Sequence, residues 1–554
     1  MDNLRFILIV SIGIILYQLS IYWEIDYAQK PAPVSRHASE PQSIEPSADL
    51  PKLSTTTTPT KSPDEAKISY PASNDRTTES IEKKKITVTS DRFRLQIDSS
   101  GTIVLLELLA YPVKMEAPNI PLKLFGKNDN LWFLAQSGLT GPSDFVSNHK
   151  SLYSFERDSY ELSNGQDILR VPMYWTNGKG IEIEKTFVVE RGNYLIQMEQ
   201  TILNHSDLPW TGGQYVQLQR SEQSEEEDST FIRTYTGGVI YDEKYEKLSF
   251  DHMRDQNLDR EVTGGWIAMI QHYFAAAWIP QTNEKNRFYT IALPDQNRFV
   301  IGYSSAQSIQ ISPGDHHTFN SRLYAGPKIQ SIMERTVKGL ELTVDYGILT
   351  VIGKPIFWML NKFHGFVQNW GFAIAMVTMV IKGIFFPLSA ASYRSMAKMR
   401  KLQPKLQAIK ERYEDDKPRF NQEMMALYRT EKVNPLGGCF PILVQIPVFI
   451  SLYWVLMETV ELRQAPFLLW INDLSVKDPY YVLPLLMGLT MWIQQRLNPT
   501  PVDPMQEKVM KLFPYIFTVF FLWFPAGLVL YWVVNNSLSI LQQWYITKRI
   551  EQTQ

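Results

Sequence analysis

Trp370-Gly-Phe-Ala-Ile-Ala-Met-Val-Thr-Met-Val-Ile-Lys-Gly-Ile-Phe-Phe-Pro-Leu388 is an apolar run with one charge, Lys382. At about 1.5 Å per residue it matches the ~30 Å hydrocarbon core of a bilayer, so it predicts a membrane-spanning helix. A lysine inside such a helix costs roughly 2.5 to 3.5 kcal/mol on insertion scales and therefore faces a polar cavity or a partner rather than lipid. Lying ~18 Å along the helix from Trp370, Lys382 is too deep for easy snorkelling. Thr378 sits one turn earlier on the same face. Gln445, Gln494, Thr518, Asn535 and Asn536 supply neutral polar groups on other apolar stretches. No intramembrane Asp or Glu stands out as a counter-ion, which weakens the reading of an ion-coupled transporter.

Working outward toward the C-terminus, apolar stretches occupy roughly 440–457, 480–493, 512–523 and 528–546. Pro441, Pro447, Pro484 and Pro514 interrupt them, which helices inside a bundle tolerate. Toward the N-terminus, Leu4 to Trp23 is nearly all apolar and ends in bulky Tyr22 and Trp23 before Glu24, with no small-residue cleavage site close behind, so it reads as an uncleaved signal anchor rather than a secretory signal peptide. The sum is six spans. Between Ser389 and Pro435 stand eleven basic residues (Arg394, Lys398, Arg400, Lys401, Lys405, Lys410, Arg412, Lys417, Arg419, Arg429, Lys432) against six acids, which marks that loop as cytoplasmic. An even number of spans then places both termini in the cytoplasm and the large domain between the first two spans outside.

That large domain shows period two. Phe93, Leu95 and Ile97 alternate with polar residues, Ser99-Ser100-Gly101 turns, and Ile103 resumes. Alternation returns at Ile181 to Val189, Tyr194 to Ile202 and Phe288 to Leu293. The expected organisation is a signal anchor at 1–23, a disordered Pro/Ser/Thr-rich tether at 24–85, and an all-β domain of two packed antiparallel sheets at 86–341. An interfacial amphipathic helix follows at 342–363, with Ile352, Ile356, Met359, Leu360 and Phe363 on one face and Lys354 and Lys362 off it. The second span takes 364–388, a basic helical hairpin 389–435, four more spans 436–547, and a short tail 548–554. In the hairpin, Leu402, Leu406, Ile409 and Tyr413 form one apolar stripe and Phe420, Met424, Leu427 and Tyr428 another. Its basic exterior, with Arg394, Lys398, Arg400, Lys401 and Lys405, suits anionic lipid headgroups or an anionic partner such as ribosomal RNA equally well.

The 554 residues carry 55 basic and 57 acidic side chains, a net charge of −2 that argues against a strongly basic nucleic-acid binder. The single cysteine, Cys439, excludes an intramolecular disulfide, and no zinc-ligand spacing occurs. No nucleophile elbow or His-Glu-x-x-His motif is present, and Gly347 to Lys354 lacks phosphate-loop spacing. His316 and His317, adjacent on a strand, point to opposite faces and read as surface histidines rather than metal ligands. The acidic run Glu225 to Asp228 lacks a calcium-loop glycine and reads as a solvated loop. No metal, cofactor or covalent catalysis is expected.

Five strings carry a resemblance: Ser395-Met-Ala-Lys-Met-Arg-Lys-Leu-Gln-Pro-Lys405, Gln422-Glu-Met-Met-Ala-Leu-Tyr428, Lys432-Val-Asn-Pro-Leu-Gly-Gly-Cys-Phe-Pro441, Val460-Glu-Leu-Arg-Gln-Ala-Pro-Phe467 and Phe520-Phe-Leu-Trp-Phe-Pro-Ala-Gly-Leu-Val-Leu-Tyr531. In that order they resemble the Oxa/Alb/YidC family of membrane protein insertases, in its Gram-negative form with a signal anchor and a large β domain. The resemblance implies a polytopic inner-membrane protein with a five-helix core around a hydrophilic groove, closed toward the periplasm, and a periplasmic β-supersandwich. It also implies insertion and folding of nascent membrane proteins, alone or beside the Sec translocon, with the ribosome or targeting factors at the cytoplasmic hairpin. The groove's positive residue is usually Arg in such proteins and here is Lys382, which keeps the charge and loses the planar fork. Thr378, Gln445 and Asn535 would help keep the groove wet, and Phe449, Phe520, Phe524 and Trp532 are candidate apolar contacts for a passing helix, a role that ordinary core packing explains as well. Two other readings are a secondary transporter, which would need repeat symmetry and a coupling-ion site, and a membrane-anchored carbohydrate enzyme or carbohydrate-binding protein acting through the β domain.

Overall fold

The computed structural model describes residues 84–552 except 129–130, 143–144, 223–234, 414–415, 432, 434–439 and 499–503. The expected anchor at 1–23, all but the end of the tether, and the run Glu225 to Asp228 lie outside the described residues. The chain divides into two compact units, one of residues 374–447 and 477–552, the other of residues 84–373 and 448–476.

In the second unit, nineteen described strands form two sheets. The eleven-stranded sheet runs Asp259–Thr263, Lys285–Leu293, Arg298–Ser305, Trp210–Ser221, Trp132–Thr140, Pro121–Lys127, Ile103–Pro112, Phe93–Asp98, Lys85–Thr89, Ser159–Glu161, with Ile309–Ile311 paired to Trp210–Ser221. The eight-stranded sheet runs Lys244–Leu248, Gly237–Asp242, Trp266–Ile270, Phe274–Ile279, His316–Pro327, Leu195–Asn204, Ile181–Glu190, Ile168–Thr176. Pairing is antiparallel except between Lys85–Thr89 and Ser159–Glu161. Pro172 falls on the last strand of the second sheet, an edge position where a missing N–H leaves no ladder bond unmade. One buried apolar cluster joins the inner faces of both sheets. Phe93, Leu95 and Ile97 from the first meet Ile181, Ile183, Ile196 and Met198 from the second. The alternation in the sequence is thus the inside–outside alternation of a sandwich. Gly101, at φ 72°, makes the turn that Ser99-Ser100-Gly101 predicts.

Lys185 breaks that pattern. It occupies an inward position between Ile183 and Phe187 and is fully buried. Its Nζ donates to the Ser137 carbonyl at 3.2 Å and lies 4.6 Å from the Tyr153 ring. Burial outweighs the nearby Asp98 charge and pushes the ammonium down to about 7 from 10.5. The unfolded chain therefore holds more protons than the folded one between pH 7 and 10.5, so Lys185 makes stability rise with pH through that window, and the gain is lost as pH falls through 7. Lys185→Met is expected to flatten this slope, read as the difference between urea midpoints at low and high pH. An unchanged slope in the variant would contradict the assignment.

The helix expected at 342–363 begins later. Two 3-10 turns, Leu340–Thr343 and Gly347–Leu349, precede the α-helix Thr350–Val367. Gly347 at φ 64° interrupts the backbone that the apolar spacing alone would continue. Ile356 and Leu360 are buried as the sequence predicts and Lys354 and Lys362 are exposed, while Val351, Trp358 and Phe366 also face outward. This unit also holds the end of the helix Phe440–Glu458, fixed to the sandwich. Glu458 is buried against Lys328 at 3.1 Å, and the same Lys328 Nζ donates to the Thr343 carbonyl at 3.2 Å. His272 Nε2 bonds the Met457 carbonyl at 2.8 Å. Because a carbonyl only accepts, that nitrogen carries the proton. Burial, with the Lys328 and Arg463 charges, pushes His272 down to about 3, so the ring is neutral and its one N–H is the donor. Arg463 and Gln464 add bonds to the Pro112 carbonyl at 2.9 and 3.0 Å.

In the first unit the expected second span, 364–388, ends sooner than the apolar run. The helix Trp370–Ile384 stops and Phe386–Arg412 starts at a 67° bend. Pro387 lies in the first turn of the new helix, where its missing N–H costs nothing, so the chain breaks just before it. The hairpin's first helix therefore begins at Phe386 rather than 389, and its second is Lys417–Thr430. Leu402, Leu406 and Val433 form their shared core, with Met424, Leu427 and Tyr428 against it. Val482–Leu497, Pro504–Phe520 and Ala526–Gln552 complete the unit, the last continuing into the expected tail as far as Gln552. Among the described residues no single helix is long and apolar enough to cross a membrane; the bent pair meets that test together, and Val444–Glu458 is a shorter apolar helix.

Candidate functional site

A polar cluster inside the helical unit collects Lys382, Gln445 and Asn535, three of the four residues expected to line the groove. The geometry starts on the helix Ala526–Gln552, where Asn535, Ser539 and Gln543 recur every four residues and therefore lie on one face. All three are buried, at 5%, 3% and 3% exposure. A buried polar row on an apolar helix demands partners. Lys382 Nζ donates to Ser539 Oγ at 2.7 Å, and Ser539 Oγ donates onward to the Asn535 carbonyl at 2.7 Å. Asn535 Oδ1 accepts from Gln445 Nε2 at 2.5 Å. Beside them Asn536 Nδ2 donates to Thr490 Oγ1 at 3.3 Å, and Gln543 Nε2 reaches the Leu497 carbonyl and Asn498 Oδ1, each at 3.2 Å. Lys382, Ser539, Asn535 and Gln445 thus form one connected network.

Thr378 does not join it. It is buried one turn from Lys382, but its hydroxyl donates to its own helix at the Ile374 carbonyl, 2.7 Å away. Among the described residues no carboxylate comes within ion-pair distance of Lys382. A half-buried ammonium with three donors is thereby met by a neutral hydroxyl, which solvates it without cancelling its charge. The arrangement can attract and hydrogen-bond an anionic group, while the Ser539 hydroxyl proton is committed to the Asn535 carbonyl.

Of the candidate apolar contacts, Phe520 and Phe524 stand 4.8 Å apart, and Phe521 bridges from Phe524 at 4.9 Å to Trp532 at 5.9 Å. Phe520 is 47% exposed while Phe521 is buried. The outward ring is therefore available for contact and the inner one packs the cluster. Phe449 is half-buried on Phe440–Glu458 and belongs to the other unit. Arg394, Lys398, Arg400, Lys401 and Lys405 are all exposed along Phe386–Arg412, with Lys405 paired to Glu431 at 2.7 Å.

Sequence reasoning passed over Ser539 and Gln543, although the four-residue spacing from Asn535 was there to be read. It also passed over Glu458, the first charge after the apolar run that starts at Phe440. Nothing local in the sequence marks Lys328 or His272 as its neighbours. No group of three or more His, Cys, Asp or Glu suited to a metal occurs among the described residues.

Two family models match the chain: one described as YidC periplasmic domain over residues 85–359, the other as 60Kd inner membrane protein over residues 362–553. A Methylococcus capsulatus protein described as membrane protein insertase YidC is 55% identical over 555 residues, covering 100% of this chain and 99% of that one. A Thioalkalivibrio sulfidiphilus protein of the same description is 45% identical over 567 residues with the same coverage. A solved structure titled "Active YidC insertase crystal structure with the first transmembrane domain resolved" aligns with 83% of this chain and 92% of its own, at 17% identity and a TM-score of 0.38. By identity sustained along its whole length, the chain belongs to the YidC family of membrane protein insertases.

Proposed function

We propose that this chain inserts and folds integral membrane proteins in the bacterial inner membrane, and that the network around Lys382 is the polar lining of a groove that holds a client's hydrophilic flank in transit. The observation that carries the reading is a cation, the one charge of the apolar helix Trp370–Ile384, bonded to a neutral hydroxyl. Crossing a bilayer is slow for a polar tail because each unsatisfied group costs several kcal/mol in hydrocarbon. A half-way site that offers Lys382, Gln445 and Asn535 to the tail, while the client's apolar segment meets lipid, divides that barrier into smaller ones. Apolar partitioning supplies the driving force, so the mechanism needs no nucleotide.

The outward-facing Leu485, Leu489, Val509, Leu512, Ile516 and Val519 of the helical unit support a lipid surround, since so many exposed apolar side chains are otherwise an aggregation hazard. The basic excess of the hairpin supports a cytoplasmic hairpin, a periplasmic β domain and both termini inside, with six spans counting the anchor and a five-helix core. Phe520, Phe524, Trp532 and Phe449 would touch the client's apolar segment. The hairpin's exposed cations would engage anionic lipid and the ribosome or targeting factors, and the Sec translocon would be an occasional partner. The groove acts without covalent catalysis.

Liposomes containing the purified chain are expected to insert a single-span client with an acidic tail, in the absence of nucleotide and of any ion gradient, well above protein-free liposomes. Equal insertion in both would remove the insertase reading. A strict requirement for an ion gradient would favour a coupled transporter.

A further inference from the structure

The eleven-stranded sheet carries a cavity of about 400 Å³. Strand parity fixes where it lies. Phe133 and Ala135 point into the core between the sheets, so Trp132, Leu134 and Gln136 of the same strand point to the opposite face, and these three line the cavity. Gln219 and Arg298 join them on the same terms, since their neighbours Leu218 and Phe299 are core residues.

The lining is held in place by its own bonds. Gln219 Oε1 accepts from Trp132 Nε1 at 3.2 Å, and Gln136 Oε1 accepts from Gln217 Nε2 at 2.9 Å, while Gln217 Oε1 accepts from the Tyr289 hydroxyl at 2.8 Å. Asp98 Oδ1 is taken up by the Ser100 and Thr102 backbone N–H groups, at 2.9 and 3.2 Å, and by the Ser100 hydroxyl. The charges are unbalanced. Lys127, Lys150 and Arg298 line the cavity against a single carboxylate, Asp98. The Arg298 guanidinium lies 3.3 Å from the Trp132 ring centre and Lys127 Nζ 5.6 Å from the same ring, so one indole gathers two cations. Among the described residues neither is within ion-pair distance of a carboxylate.

Arg298 Nη1 donates to Gln296 Oε1 at 2.9 Å, which uses one of the five N–H donors of the guanidinium held over the indole, and the other four can grip a carboxylate or phosphate with two parallel hydrogen bonds. Carboxamides fixed by internal bonds suit neutral hydroxyls, and so polar a wall suits no acyl chain. We propose that this cavity binds an anionic saccharide, its acid group on Arg298 and Lys127 and its hydroxyls on Gln136 and Gln219. The proposal is independent of the insertion mechanism and requires no turnover.

The test is calorimetric titration of the full chain in nanodiscs with trigalacturonate, its methyl ester, glucose 6-phosphate and inorganic phosphate. Saturable binding of one of the two acidic sugars is expected, weakened at least about tenfold by Arg298→Gln and, for the uronate, by methyl esterification, the loss of one charged hydrogen-bonded contact. The unfolding temperature should not change. Should Arg298→Gln lower it, Lys127→Gln at the exposed rim makes the same comparison. No saturable heat with either sugar, binding indifferent to the substitution, or inorganic phosphate held as tightly as the sugars would each overturn the proposal, the last by reducing it to a bare anion site.

Discussion

Lys382→Met is expected to slow insertion of an acidic-tailed client by about tenfold to about a hundredfold, the loss of one charge-assisted contact worth roughly 1.5 to 3 kcal/mol. Methionine keeps the length of the side chain and removes only the ammonium, so the effect is one of charge rather than of packing. Two companions sharpen it. Lys382→Arg should retain most activity, because attraction of a carboxylate tail needs a cation and not a particular fork. A client whose tail acids are changed to amides should be insensitive to Lys382→Met. The measurement is the insertion rate in liposomes at matched protein content. Ser539 is expected to matter less, since a hydroxyl that accepts from Lys382 and donates to the Asn535 carbonyl can be replaced by water in a wet site.

Lys328→Met is expected to destabilise the β domain by about 3 to 5 kcal/mol, because it leaves Glu458 buried without its partner. Lys328 is 2% exposed, so bulk water does not take over. Changing both partners, Lys328→Met with Glu458→Leu, should recover most of the loss, since an apolar pair needs no compensation for desolvated charge. Thermal unfolding followed by tryptophan fluorescence reads both variants. A single substitution that costs under about 1 kcal/mol would mean that water reaches the pair. The pair also bears on how the β domain is removed. A deletion of 86–341 strips Lys328 from Glu458 and the Thr343 carbonyl contact with it, so a deleted chain should carry Glu458→Gln if its loss of activity is to be assigned to the domain rather than to a stranded acid.

The sandwich was legible because its rule is local. Alternation at Phe93-Arg-Leu-Gln-Ile97 states which side chains face the core, and burial follows it residue by residue. Lys185 was not legible, because a charge at an inward position is tolerated through Ser137, Tyr153 and the Asp98 charge, all distant in sequence. In the helical unit the apolar runs overlap the helices Trp370–Ile384, Phe440–Glu458, Val482–Leu497, Pro504–Phe520 and Ala526–Gln552 and the two stripes fall on the hairpin helices, but neither marks the bend at Phe385, where Pro387 outweighs continuous hydrophobicity. The polar network was half legible. Lys382, Gln445 and Asn535 announce themselves as polar groups in apolar surroundings, whereas the partner that meets Lys382 is a serine, a residue too common in helices to attract notice. Thr378 shows the limit of face-sharing arguments: it sits where helical spacing puts it, yet its hydroxyl is used up by its own backbone.

The most direct measurement is complementation of a bacterium depleted of its own insertase, with membrane insertion of a short acidic-tailed client as the readout and membrane integration of each variant verified. The full chain and the chain lacking 86–341 with Glu458→Gln should both restore insertion, and Lys382→Met should not. Full rescue by Lys382→Met would contradict a charged groove, and failure of the well-integrated full chain would contradict the insertase itself.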